Sequence, residues 1–166
     1  MITITPPDSY PVWGSEGRAV QSIYEFTAAL TAGLFTGAAL YIIFVEHPAR
    51  LKYGPPLAVT EFVAGYRRAA VMQPVLAFLS FGAGVLAWRE GASFWWLLGG
   101  AAMGSLFPLT IFWMLPINRQ LHEPGLEHDA DRAMELLTLW GHWHRLRCLI
   151  GLLSFFLFLV LLLQKD

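Results

Sequence analysis

The residues best equipped for chemistry lie in one stretch, Trp140-Gly141-His142-Trp143-His144-Arg145-Leu146-Arg147. Trp140, His144, Arg147 and Gly151 follow the i, i+4, i+7, i+11 spacing of a single helix face. A neutral imidazole can take a proton, and a guanidinium carries a permanent charge able to hold a developing anion. Gly151 would leave room beneath Arg147. Because Arg147 falls just inside an apolar run, it needs a polar partner. Glu46 is the expected one, with Asn118 as a neutral hydrogen-bonding neighbour. His142, Trp143 and Arg145 point away from this stripe and read as interfacial anchors. The same anchor reading competes for His144 and Arg147, but the depth of the arginine favours an inward stripe.

Other chemistries find less support. His47, His122, His128, His142, His144 and Glu46 include suitable metal-ligand types, yet their spacing is poor. His122-Glu123 opens like a zinc-protease motif, but the second histidine is missing and Pro124-Gly125 interrupts the helix. No metal and no cofactor are expected. Cys148 is the sole cysteine, which rules out an intrachain disulfide and reads as a small apolar filler. There is no CxxC, nucleotide loop, Ser-His-Asp order or haem-attachment sequence.

The elements that must position these residues are four apolar runs, roughly 24–45, 69–88, 94–115 and 146–163. Each has about the 17–25 residues that cross a bilayer core as a helix. No Lys, Arg, Asp or Glu interrupts them apart from Glu25 and Arg147 at their ends. The expected fold is all-α, an integral membrane four-helix bundle over 24–166 preceded by an extramembrane tail over 1–23. That tail lacks the basic start and apolar core of a cleavable signal. The net charge of −1 gives no case for nucleic acid, and the bilayer itself is the first expected partner.

Basic residues orient the bundle. The connections 46–68 and 116–145 hold Arg50, Lys52, Arg67, Arg68, Arg119, Arg132 and Arg145, with Arg147 at the edge; the other side holds Arg18, Arg89 and Lys165. The positive-inside rule puts both connections in the cytoplasm and both termini outside, in what is expected to be a bacterial inner membrane. Glu46, Asn118 and the His144 stripe then gather at one membrane face. Tyr66, Arg67, Arg68 and Gln73 begin the second span there. Asp129 or Asp131 is expected to cap the helix leading into the fourth span. Gly33/Gly37 and Gly100/Gly104 have small-xxx-small spacing, which predicts close helix packing. Pro108 should kink the third span, with Ser105 or Thr110 helping to satisfy the carbonyl it frees.

Three segments carry a resemblance: Gly37-Ala38-Ala39-Leu40-Tyr41 through Val45-Glu46-His47-Pro48-Ala49, then Leu115-Pro116-Ile117-Asn118-Arg119-Gln120-Leu121, then Trp140 to Arg147. Over about 25–163 the chain resembles the anthrone-oxygenase-like family of small four-helix membrane proteins, catalogued in bacteria as a domain of unknown function. The order P-x-N-x-x-L followed by W-x-x-x-H-x-x-R is the specific part, and Pro48, Asn118, Trp140, His144 and Arg147 match it. Fungal members are associated with oxidising a polyketide anthrone to an anthraquinone with molecular oxygen, while most bacterial members have no assigned reaction.

The resemblance implies a membrane-embedded oxygenase acting on an apolar phenolic small molecule. Neutral His144 would be the base, Arg147 the anion stabiliser, Asn118 a carbonyl orienter and Trp140 an apolar wall. Glu46 would orient His144 or balance Arg147, and Tyr41 and His47 would meet substrate. The contrasting expectation is a non-catalytic subunit or assembly factor of a larger membrane protein complex. A transporter is a weaker third, since four spans show no inverted repeat.

Overall fold

The computed structural model describes residues 13–164, and the described residues include no strand. The first part of the expected tail, 1–12, and the basic Lys165 lie outside the described residues. Four helical rods, Glu16–Tyr53, Pro55–Arg89, Phe94–Leu121 and Ala130–Leu163, are long and apolar enough to cross a membrane. They form an all-helical bundle compatible with a multi-pass integral membrane protein.

The first rod is α1 (Trp13–Tyr41), a π-helical turn at Ile42–Glu46, and α2 (His47–Tyr53). The second is α3 (Pro55–Arg89). The third comprises α4 (Phe94–Gly104), α5 (Leu106–Leu109), a π-helical turn at Thr110–Met114, and α6 (Leu115–Leu121). A 3₁₀ turn at Leu126–His128 leads to α7 (Ala130–Leu163). Asp129 caps α7 as expected, its side chain accepting from the backbone N–H of Arg132 at 3.1 Å.

The segment 46–68, read above as a connection, is helical except at Gly54, whose φ of 83° turns the chain between α2 and α3. The reason is length. At about 1.5 Å per residue, the 35 residues of α3 extend about 52 Å, well beyond a hydrocarbon core of about 30 Å. α3 is therefore longer than a hydrocarbon core is thick, and apolarity alone marks only its central part.

Each rod packs on two neighbours, α1 against α3 and α7, and α4 against α3 and α7. Small residues set the approach. A Cβ at Gly84 would lie 2.8 Å from the Trp96 carbonyl oxygen and 3.0 Å from Gly100 Cα, so α3 and α4 meet backbone to backbone. Gly33 seats Phe155 and Gly104 seats Phe81, but Gly37 faces open space, so only half of the first small-residue pair is a packing site. Large apolar side chains cover the outside: Phe26, Leu34, Val75, Phe78, Phe112, Leu153 and Phe156 are all exposed. In water that surface would be a liability; against lipid it is the expected solvent match.

Both π-turns precede a proline by two positions, at Pro48 and Pro116. A proline ring clashes with the carbonyl four residues back, and a widened turn relieves that clash. The kink expected at Pro108 appears as a break at Ser105 between α4 and α5. Neither helper serves as expected. The Ser105 hydroxyl donates to the Ala102 carbonyl at 2.6 Å and Thr110 to that of Leu106 at 2.6 Å, whereas the carbonyl that Pro108 leaves without its N–H belongs to Gly104.

Candidate functional site

The stripe on α7 faces inward. Trp140 is 6%, His144 1% and Arg147 8% exposed, and Gly151 is buried, while His142 and Arg145 are exposed. The room at Gly151 is filled by Phe35, where a Cβ would come within 2.9 Å of the ring. Arg147 lies over that same ring, 5.5 Å from its centroid.

His144 stacks on Trp140, with centroids 4.6 Å apart and planes 11° from parallel. Its Nε2 lies 3.2 Å from the Ala39 carbonyl oxygen. A carbonyl only accepts, so this contact puts the proton of a neutral ring on Nε2 and the lone pair on Nδ1. His144 Nδ1 is buried and has no partner within the protein.

Arg147 donates from Nη2 to Gln73 Oε1 at 2.9 Å and from Nη1 to the Met114 sulfur at 3.6 Å. Its neighbours are thus neutral, and among the described residues no carboxylate makes an ion pair with it. Glu46, expected to balance it, instead lies 3.7 Å from Arg50 and is partly exposed. The cause is the first π-turn. In a straight helix Glu46, seven residues after buried Ala39, would share its face. The wide turn brings His47 there instead, so Ala39, Ile43 and His47 are buried and Glu46 swings outward. The second π-turn does the same in the third rod. Met114 is buried where Trp113 would be expected from Leu106, and Asn118 follows it into the core.

Asn118 is 3% exposed and donates from Nδ2 to the Tyr66 hydroxyl at 3.2 Å. Its Oδ1 has no partner within the protein. Tyr66 is held by Phe62, stacked at 5.7 Å, and by His122, edge-on at 4.9 Å.

These side chains surround one cavity of about 70 Å³, bounded also by Ile42, Ala69, Ala70, Pro74 and Thr110. Five buried polar atoms without a protein partner belong to residues lining it: Gln73 Nε2, Asn118 Oδ1, Trp140 Nε1, His144 Nδ1 and Arg147 Nε. Buried polar groups are ordinarily paired, and leaving one unmade costs about 1–3 kcal/mol. Donors and acceptors are both represented, as suits a ligand bearing oxygens or ordered water. An apolar cavity of about 150 Å³ accommodates benzene, so a three-ring ligand requires this one to widen. Its wall between the second and third rods is made of the small residues Ala69, Ala70, Pro74 and Thr110.

Besides Glu46, two expected site residues lie elsewhere. Tyr41 is 55% exposed and does not line the cavity. His47 is buried against Gly141 and sits 5.6 Å from Trp140, behind that ring and outside the cavity lining. It belongs to a supporting cluster. Arg50, 5% exposed, hydrogen-bonds to Glu61 and lies over Phe62 and Trp140 at 5.3 and 5.9 Å. Among the described residues no group of three or more His, Cys, Asp or Glu side chains is arranged to hold a metal ion.

Sequence reasoning placed Gln73 and Tyr66 at this junction but gave them no role. Their seven-residue spacing puts them on one helix face, and a lone amide within an apolar run is itself a signal. The Ala39 carbonyl, being backbone, gave none.

The family model described as anthrone oxygenase matches residues 62–157, more than half of the chain. No curated protein and no solved structure matches.

Proposed function

The chain belongs to the anthrone oxygenase family, and from that premise we propose that it oxidises an apolar phenolic substrate of the polyketide type with molecular oxygen, inside the bilayer. The single observation carrying the reading is the presence around one cavity of His144 Nδ1, Asn118 Oδ1 and Gln73 Nε2, all buried and unpartnered, beside a buried arginine with no carboxylate partner among the described residues.

The chemistry follows from those groups. His144 Nδ1 removes a proton from the acidic C–H of the anthrone. The resulting anion is delocalised onto the substrate's carbonyl oxygen, where Arg147 offsets its charge without reorganisation. The electron-rich carbon then adds oxygen, and the protonated His144 returns its proton to give a hydroperoxide. Loss of the remaining C–H proton with departure of hydroxide leaves a carbonyl and water. One oxygen molecule thus converts CH₂ to C=O plus water, and the substrate supplies every electron. Asn118 orients the ring oxygens, and Trp140 forms an apolar wall that also holds His144 in plane.

A flat apolar phenol partitions into lipid, and the cavity's small-residue wall includes Ala70, which is exposed on the outside of the bundle. Purification in mild detergent, with mass spectrometry of co-purifying molecules, tests the assignment. A bound polyphenol or quinone is expected. A stoichiometric large membrane protein with no small molecule would replace the oxygenase by a subunit of a complex.

A further inference from the structure

Gln73 is 3% exposed, lies on α3, and carries no role from the family match or from the sequence motif. Its Oε1 accepts from Arg147 Nη2 at 2.9 Å. A guanidinium only donates, so the amide cannot be flipped: Oε1 must face Arg147. That leaves the Nε2 amine, with its two N–H groups, unpartnered in the cavity that Gln73 lines. Among the described residues, the hydrogen-bond and ring partners of Arg147 are an amide oxygen, a thioether sulfur and a phenyl face. A buried cation left with neutral partners is costly, and a single carboxylate at position 73 would have supplied a counter-charge.

We propose that Gln73 is a substrate-binding residue that forms an oxyanion site with Arg147, and that the occupant is a phenolate or enolate oxygen of the ligand. Gln73 Nε2 donates to that oxygen while Oε1 keeps the guanidinium turned toward it. The bundle omits the counter-charge, and the ligand supplies it. An amide is required because Glu at this position would pair with Arg147 internally and fill the anion's role. The inference rests on the active-site reading above, and it selects ligands by their ionised oxygen in addition to their apolar rings.

The test is binding to the full chain in lipid nanodiscs. The probes are 2-hydroxyanthraquinone, at a pH where its hydroxyl is ionised, and unsubstituted anthraquinone. Wild type should prefer the ionised probe. Gln73→Glu should weaken that probe by about 10-fold or more, the scale of one charge-assisted hydrogen bond, while the thermal midpoint holds or rises. Gln73→Met, which cannot form the internal pair, should weaken the ionised probe by a clearly larger factor than it weakens anthraquinone. If Gln73 Nε2 makes no contact with the ligand, the ionised probe would bind Gln73→Met as tightly as wild type; that result overturns the proposal. Equal binding of both probes by wild type overturns it as well. Selective loss in both variants, with no oxygen uptake by wild type on an anthrone, would keep the oxyanion site and remove the oxygenase.

Discussion

His144 Nε2 lies 3.2 Å from the carbonyl oxygen of Ala39, a residue of the neighbouring α1. That one contact decides which ring nitrogen is basic, because the carbonyl requires a donor and leaves the lone pair on Nδ1, on a ring that lines the cavity. Stacking on Trp140 at 4.6 Å fixes the plane of the ring. The tautomer is therefore set by the backbone of α1, and the ring plane by an aromatic one turn earlier on α7 itself.

His144→Gln retains a donor for Ala39 but removes the base. It should insert and fold, and should lose about 10²–10⁴-fold in turnover of an anthrone. Trp143→Phe, next to it but outside the cavity lining and half-buried beside Trp113 at 5.5 Å, should be nearly silent. Steady-state kinetics on the two variants check this contrast, and equal effects would argue that only the helix end matters.

Arg147→Met separates function from stability. Removing a buried cation relieves its desolvation, while orphaning Gln73 Oε1 costs about 1–3 kcal/mol. The two offset, so the unfolding free energy in detergent should stay within about 2 kcal/mol of wild type. Turnover should fall about 10²–10³-fold, as for loss of an oxyanion donor.

The four apolar runs made the bundle legible, because a bilayer imposes one length and one polarity on each span. The inward stripe on α7 was legible for a similar reason: α7 is unbroken from Ala130 to Leu163, so spacing translates directly into a face. Periodicity fails where a turn widens. Glu46 lost its inward position to His47, and Met114 replaced Trp113, through π-turns upstream of Pro48 and Pro116. Inter-helix rotation is also invisible in a single helix's pattern, which is why Gln73 was placed at the junction but not identified as the partner of Arg147. Family resemblance supplied the reaction class that no face or spacing contains.

The two acidic neighbours of Arg50 are unequal. Glu61 bonds it directly, whereas Glu46 is 3.7 Å away. With Glu61 about half exposed, its pair is discounted for solvent, and Glu61→Gln should cost about 1–2 kcal/mol. Glu46→Gln should cost less than about 1 kcal/mol. Thermal unfolding in detergent distinguishes them.

Gly84→Ala would drive a methyl group into the backbone of Trp96 and Gly100, prying α3 from α4 at a cost of about 1–3 kcal/mol. Gly37→Ala meets nothing within 4 Å and should be neutral or stabilising by up to about 1 kcal/mol through helix propensity. Comparing unfolding midpoints of the pair tests which glycines carry the packing.

The most direct test of the central claim is isotopic. The purified protein in nanodiscs is given an anthrone under ¹⁸O₂, and oxygen uptake and label in the quinone are measured together. One oxygen molecule consumed per quinone, with a single ¹⁸O in the new carbonyl and loss of the enzymatic rate in His144→Gln, is the predicted result. Uptake no faster than the protein-free blank, or a rate unchanged by His144→Gln, would contradict it.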